Sequence, residues 1–210
     1  MTTNLERLMT VADLDAMPED GNLYELIGGE IFMSCAPTIT HQRVLLNLIA
    51  KFLLYLAQNP VGELLPGPGV IFDDHNAVIP DLVFVSNEQR WRLEGRDRLT
   101  WAPNLVIEIL SPGPENERRD LEVKAEMYSG FEVREYWVVN PQNQTVRIGR
   151  AKIGGYETIT LGADDEISSP RILPGFSLKV SAIFEARGSD FRNEGTKPHQ
   201  MDPAFSTPLG

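Results

Sequence analysis

Two acids sit where acids are seldom found. Asp81 lies in the run IPDLVFVS and Glu108 in NLVIEILS, both otherwise strongly apolar stretches. An unpaired charge inside a buried strand costs several kcal/mol, so each carboxylate needs a partner. Two carboxylates on adjacent strands also repel each other unless a cation lies between them. A hard divalent ion such as Mg²⁺ meets that need with one or two carboxylates and several waters. The alternative is that each acid is satisfied separately, by an arginine or a helix N-terminus.

A lysine bears on the choice. In the helix expected after Glu108, the inward face is marked by Leu121, Ala125 and Tyr128, and Lys124 falls in phase with them. Asp120 lies one turn earlier on the same side. Lys124 is then either a helix lysine paired with Asp120 or an ammonium aimed over the sheet towards Asp81 and Glu108. In the second arrangement it can orient or help deprotonate a water, or stabilise a phosphate. A metal beside two acids with an ammonium nearby suits phosphodiester hydrolysis.

The elements that would position these groups are legible in the periodicity. VADLDAM (11–17) reads as a short helix with Thr10 as N-cap. LYELIGGEIFM (23–33) reads as a hairpin turning at Gly28-Gly29. The segment 37–60 is the best helix, with Val44, Leu45, Leu48, Phe52 and Leu56 on one face and Pro60 closing it. Strands are expected over 69–74, 78–86, 104–110 and 134–141. A helix is expected late in 111–130, with Gly130 just past its end, and an antiparallel extension over 145–150 and 156–161. The segment 171–184 ends the domain. The order of helices and strands predicts an α/β or α+β fold, a central mixed sheet flanked by helices.

Composition sets the outer limits. The 210 residues suffice for one domain with a sizeable core, expected over 1–187, followed by a polar, Pro/Gly-rich tail over 188–210. There is no long apolar run and no signal-peptide pattern at the start, which makes a cytoplasmic location the expectation and a membrane partner unexpected. The single cysteine, Cys35, leaves no internal disulfide and no cysteine-based zinc site. The net charge of −11 argues against a nonspecific nucleic-acid binder. Residues 1–40 hold seven acids and one base, −6 of that total. By contrast QRWRLEGRDR (89–98) has four arginines against two acids, and Arg118-Arg119 follow, so these are either a solvated loop or a local phosphate-contacting patch.

Taken together, Pro80-Asp81, Glu108 and the helical Lys124 resemble the PD-(D/E)XK nuclease superfamily. The superfamily's usual lysine position, two residues after the acid, holds Leu110 here. The closer resemblance is to the branch with its lysine on the following helix, the Uma-two-type restriction-endonuclease family. It is carried by YELIGGEI, PTITHQRV, IPDLVFVS, NLVIEILSPG, RRDLEVKAEMYSGFEVREYWVVNP and LPGF, spread over about residues 23–176. The resemblance implies a restriction-endonuclease-like core, Asp81 and Glu108 as metal ligands with the backbone carbonyl of Ile109, and Lys124 as the displaced catalytic lysine. It implies Mg²⁺ or Mn²⁺ as cofactor, DNA as substrate, and a homodimer for cleavage of both strands.

Further residues are weighed beside these. His41 shares the apolar face of the long helix and is either a core or cap residue or a group facing the site. Glu25, inside the hairpin, either pairs with an arginine or joins the acids, and Asp120 is the remaining acid near Lys124. Tyr128, Tyr136 and Trp137 are expected in the core. The competing function is a catalytically inactive nuclease-fold module that binds nucleic acid or protein. The acidic charge and Leu110 favour it.

Overall fold

The computed structural model describes residues 7–34 and 36–185. The expected tail lies outside the described residues, as does Cys35.

Thr10 opens α1 (Val11–Asp15): its hydroxyl accepts from the Asp13 amide while the Asp13 carboxylate accepts from the Thr10 amide. β1 (Leu23–Ile27) and β2 (Glu30–Ser34) form the expected hairpin, and Gly28 and Gly29 supply the positive φ its turn requires, 60° and 80°. α2 (Ile39–Gln58) starts at Thr38, whose hydroxyl accepts from the His41 amide.

β3 (Gly62–Pro66), β4 (Val70–Asp73), β5 (Asn76–Val78) and β6 (Leu82–Ser86) follow. The single strand expected over 78–86 is therefore two. Pro80 has no amide hydrogen to give a ladder, and the chain changes sheets across Ile79-Pro80-Asp81. After α3 (Asn87–Arg90) comes β7 (Leu105–Ile109), the strand that carries Glu108. The next helix has three parts: α4 (Pro114–Arg118), a π-helical turn over Arg119–Val123, and α5 (Lys124–Gly130). Gly130 is the last helical residue, not the one beyond it, and the cap is Phe131. β8 (Glu135–Asn140), β9 (Thr145–Lys152), β10 (Gly155–Leu161), β11 (Glu166–Ser169), β12 (Leu173–Lys179) and α6 (Ser181–Phe184) complete the chain.

The central sheet has the order β10-β9-β8-β7-β6-β3 and is mixed, since β7 and β8 run parallel while the other pairs are antiparallel. A parallel pair needs a crossover, and the helix from Pro114 to Gly130 supplies it. A four-stranded sheet, β2-β1-β5-β4, and the pair β11-β12 stand beside it.

Alternation along the strands divides the core in two. Leu82, Phe84, Leu105 and Ile107 meet Val44, Leu48 and Phe52 of α2. Val83, Val85, Val106 and Val138 meet Tyr128 and Tyr136 with Val70 and Val78 of the smaller sheet. Position 108 falls between Val106 and Leu110 on the second face, under the crossover helix. Among the described residues, no helix is long and apolar enough to cross a membrane.

Candidate active site

At the C-terminal end of β7, the smaller sheet, the start of α2 and the crossover helix meet around a cavity of about 90 Å³. Its lining includes every residue singled out from the sequence: Glu25, His41, Asp81, Glu108, Ile109, Asp120 and Lys124. Arg119, Ser34 and Ser111 join them.

Lys124 is the centre of the cluster. It is 2% exposed, so it is no surface lysine. Its Nζ donates to Glu108 Oε1 at 2.8 Å and to Glu25 at 2.9 Å, while Asp120 Oδ1 stands at 3.9 Å. Burial alone would lower the ammonium's pKa, but the fields of Glu108, Glu25 and Asp120 outweigh it and hold the pKa above its ordinary value. Such a group remains a donor and is ill suited to removing a proton.

Glu108 is buried as well. Desolvation pushes its carboxyl up to about 8; Lys124 opposes that shift, and Asp81, Glu25 and Asp120 add to it. Its Oε1 accepts from both Lys124 and the Tyr128 hydroxyl, the latter at 3.0 Å. Among the described residues, Oε2 takes no hydrogen bond. Asp81 repeats the pattern. Its Oδ2 accepts from the Ile109 amide at 2.7 Å and lies 3.1 Å from His41 Nε2, and among the described residues its Oδ1 takes no bond. Ile109 thus meets the site through its N–H.

Asp120 is held by Arg119, whose Nε donates to Asp120 Oδ1 at 3.1 Å and whose Nη1 donates to Ser34 Oγ at 3.2 Å. Burial raises the Asp120 carboxyl, against the pull of Lys124 and Arg119. Glu25 also accepts from the Ile79 amide at 2.9 Å, which ties the hairpin to the crossing between sheets.

Two members were not assigned to the site from the sequence, although Arg119 was weighed as part of a phosphate-contacting patch. Tyr128 was expected only in the core; it is there, but its hydroxyl reaches Glu108. Arg119 lies five residues before Lys124, out of phase on an α-helix. The π turn bonds the Lys124 amide to the Arg119 carbonyl, and that spacing brings both onto one face. The arginines of residues 89–98 divide: Arg90 pairs with Glu63 and Arg98 with Asp15, whereas Arg92 lies over the rings of Trp91 and Trp101.

The donor set fits a hard cation. Four carboxylates, Glu25, Asp81, Glu108 and Asp120, face two fixed cations, Arg119 and Lys124, an excess of two negative charges once all four are ionised, the state that a bound cation would favour. Asp81 and Glu108 each leave one oxygen without a partner among the described residues. Among the described residues no group of three or more His, Cys, Asp or Glu side chains is arranged as a metal cage. Two carboxylates with an oxygen to spare, completed by water, make the kind of donor set that a hard divalent cation accepts.

A family model described as "Putative restriction endonuclease", Uma2, matches residues 11–181. The chain belongs to the Uma2 family. The fold agrees with a solved relative from Anabaena variabilis, described as "a putative nuclease belonging to DUF820". It is 20% identical with a TM-score of 0.72, over 84% of this chain and 97% of that one. The type IIG restriction endonuclease BpuSI is matched at 11% identity and a TM-score of 0.36, over 57% of this chain and 13% of that one. No curated protein matches. The Uma2 chain therefore has a restriction-endonuclease-like fold in which the acids of β7 and of the β5–β6 crossing, and the lysine of the crossover helix, share one cavity.

Proposed function

We propose that the protein is a divalent-metal-dependent DNA endonuclease, with Asp81 and Glu108 as metal ligands and Lys124 as the group that meets the reacting phosphate. The observation that carries this reading is that, among the described residues, Asp81 Oδ1 and Glu108 Oε2 have no hydrogen-bond partner, while both side chains line a cavity that also holds two buried cations. Mg²⁺ or Mn²⁺ bound there, with the Ile109 carbonyl as a further ligand, would polarise a phosphoryl oxygen and lower the pKa of a bound water.

The chain's own residues do the rest. Ile109 N–H and His41 fix the Asp81 carboxylate and leave Oδ1 turned to the ligand. Tyr128 and Lys124 fix Glu108 in the same way. Lys124 and Arg119 offer N–H donors to the phosphate as charge builds on its oxygens, in a cavity that admits little water. The low exposure of these donors strengthens each contact. Hydrolysis is in-line attack of water on phosphorus, opposite the leaving oxygen.

Residues 1–187 form the nuclease domain, and a cytoplasmic homodimer supplies the two sites that a double-strand cut needs. Incubating supercoiled plasmid with the full chain tests the proposal. Nicked and linear products are expected with Mg²⁺ or Mn²⁺, and none with a chelator or with Asp81→Ala. Intact plasmid in all cases, with no Mn²⁺ binding by calorimetry, would leave a nuclease fold that acts as a binding module.

A further inference from the structure

The catalytic cavity is not the largest concavity. A groove of about 1200 Å³ lies on the other side of the crossover helix, over β8, β9 and β10. That helix is a wall of both: Asp120 and Lys124 line the cavity, while Leu121 and Ala125 line the groove. The groove's size is just above the roughly 300–1,000 Å³ of ordinary small-molecule pockets.

Its charge differs from that of the chain. Arg92, Arg134, Arg147 and Lys152 line it against Glu126 and Glu132, four positive charges minus two negative, whereas the whole chain carries −11. Among the described residues none of the four forms an ion pair, though acids outnumber bases 30 to 19. Aromatic side chains share the lining with them. Trp101 and Tyr156 line the groove, and Arg92 stands 5.6 Å from the Trp101 ring centre. Two polar atoms of the lining, Trp101 Nε1 and Gln89 Oε1, are buried with no hydrogen-bond partner, one a donor and one an acceptor. At the rim, the β9–β10 hairpin presents Lys152 beside the fully exposed Ile153.

We propose that this groove holds a single strand of nucleic acid, with its phosphates against Arg92, Arg134, Arg147 and Lys152 and its bases towards Trp101 and Tyr156. Cations that track a backbone, interleaved with rings that accept any base, are the means by which single strands are held. That the strand continues from the cleavage site rests on the nuclease reading. A helix is about 10 Å across, a distance that a few nucleotides span.

Fluorescence anisotropy of a labelled mixed-sequence 20-nucleotide DNA, titrated with the full chain in chelator between 50 and 200 mM salt, tests the proposal. The expected result is binding that weakens with salt. Replacing all four cations with Gln should reduce the log–log salt slope by about 3, at about 0.7 per contact, and weaken binding at least tenfold at low salt. Arg134→Gln and Lys152→Gln alone should each remove about 0.7 of slope, so a misfolded quadruple variant does not decide the matter. No binding by the wild type, or an unchanged slope in the single variants, would overturn the proposal. So would equal or tighter binding of a 20-base-pair duplex, or displacement of the strand by polyglutamate. Strand binding that depends on these cations in a protein that never cuts plasmid would leave the groove standing and remove the nuclease reading.

Discussion

At Lys124, one ammonium serves Glu108, Glu25 and Asp120, and its replacement should show the imbalance. An exposed pair with Asp120 would contribute only about 0.3–0.5 kcal/mol. Removing one partner from a buried charge network costs about 3–5 kcal/mol. Lys124→Met is therefore expected to lower stability by that larger amount in urea denaturation, and to abolish metal-dependent cleavage. Adding Glu108→Gln to it should restore part of the stability and none of the cleavage. A Lys124→Met protein as stable as the wild type would show that the network contributes little. The placement of Lys124 was legible only in part: it shares the buried side of the helix with Tyr128, one turn on, whereas Leu121 and Ala125, taken with it as the inward face, line the groove on the other side. The placement of Glu25 was not, because a carboxylate in a hairpin gives no sign of which distant strand it will face. Its contact with the Ile79 amide exists only once the two sheets meet.

Elements carry the same lesson. Length and periodicity made α2 and β7 plain from the sequence, but the break at Pro80 in the strand expected over 78–86, and the change of sheet at Asp81, depend on long-range pairing. The π turn had no sequence signal, since Arg119-Asp120-Leu121-Glu122-Val123 fits an α-helix equally well. Its effect is to align Arg119 with Lys124. The start of α2 offers a cleaner test of how an element positions a side chain. Thr38 accepts from the His41 amide, and the His41 ring meets Asp81. Thr38→Ala should cost about 1 kcal/mol of stability, the usual loss for a removed cap. It should also weaken Mn²⁺ binding measured by calorimetry, because Asp81 loses a fixed neighbour. Unchanged metal affinity at the reduced stability would separate His41 from the site.

For the molecule as a whole, the acidic cavity ties folding stability to pH. The Glu108 carboxyl has a folded-state pKa of about 8 against an ordinary value of 4.5, with burial as the main cause. A raised carboxyl binds its proton more tightly in the folded state than in the unfolded one. Its stabilising contribution is therefore complete below about pH 4.5 and is lost as pH rises through about 8. Within that window one proton separates the two states, a slope of at most about 1.4 kcal/mol per pH unit. Asp120 is raised too, also through burial, and adds to the slope with the same sign. Net repulsion in a chain of charge −11 acts in that direction as well, so the wild-type curve alone does not isolate Glu108. Glu108→Gln does, because it keeps the shape of the protonated acid at every pH. In chelator, the melting temperature of the wild type should fall between about pH 5 and 8 more steeply than that of Glu108→Gln, and the variant should be the more stable at pH 8. Millimolar Mg²⁺ should flatten the wild-type curve, since the cation replaces the proton, and should leave the variant's curve almost unmoved. Parallel curves for the two proteins in chelator would show that the Glu108 proton is not coupled to folding, and an equal response to Mg²⁺ would remove Glu108 from the ligand set.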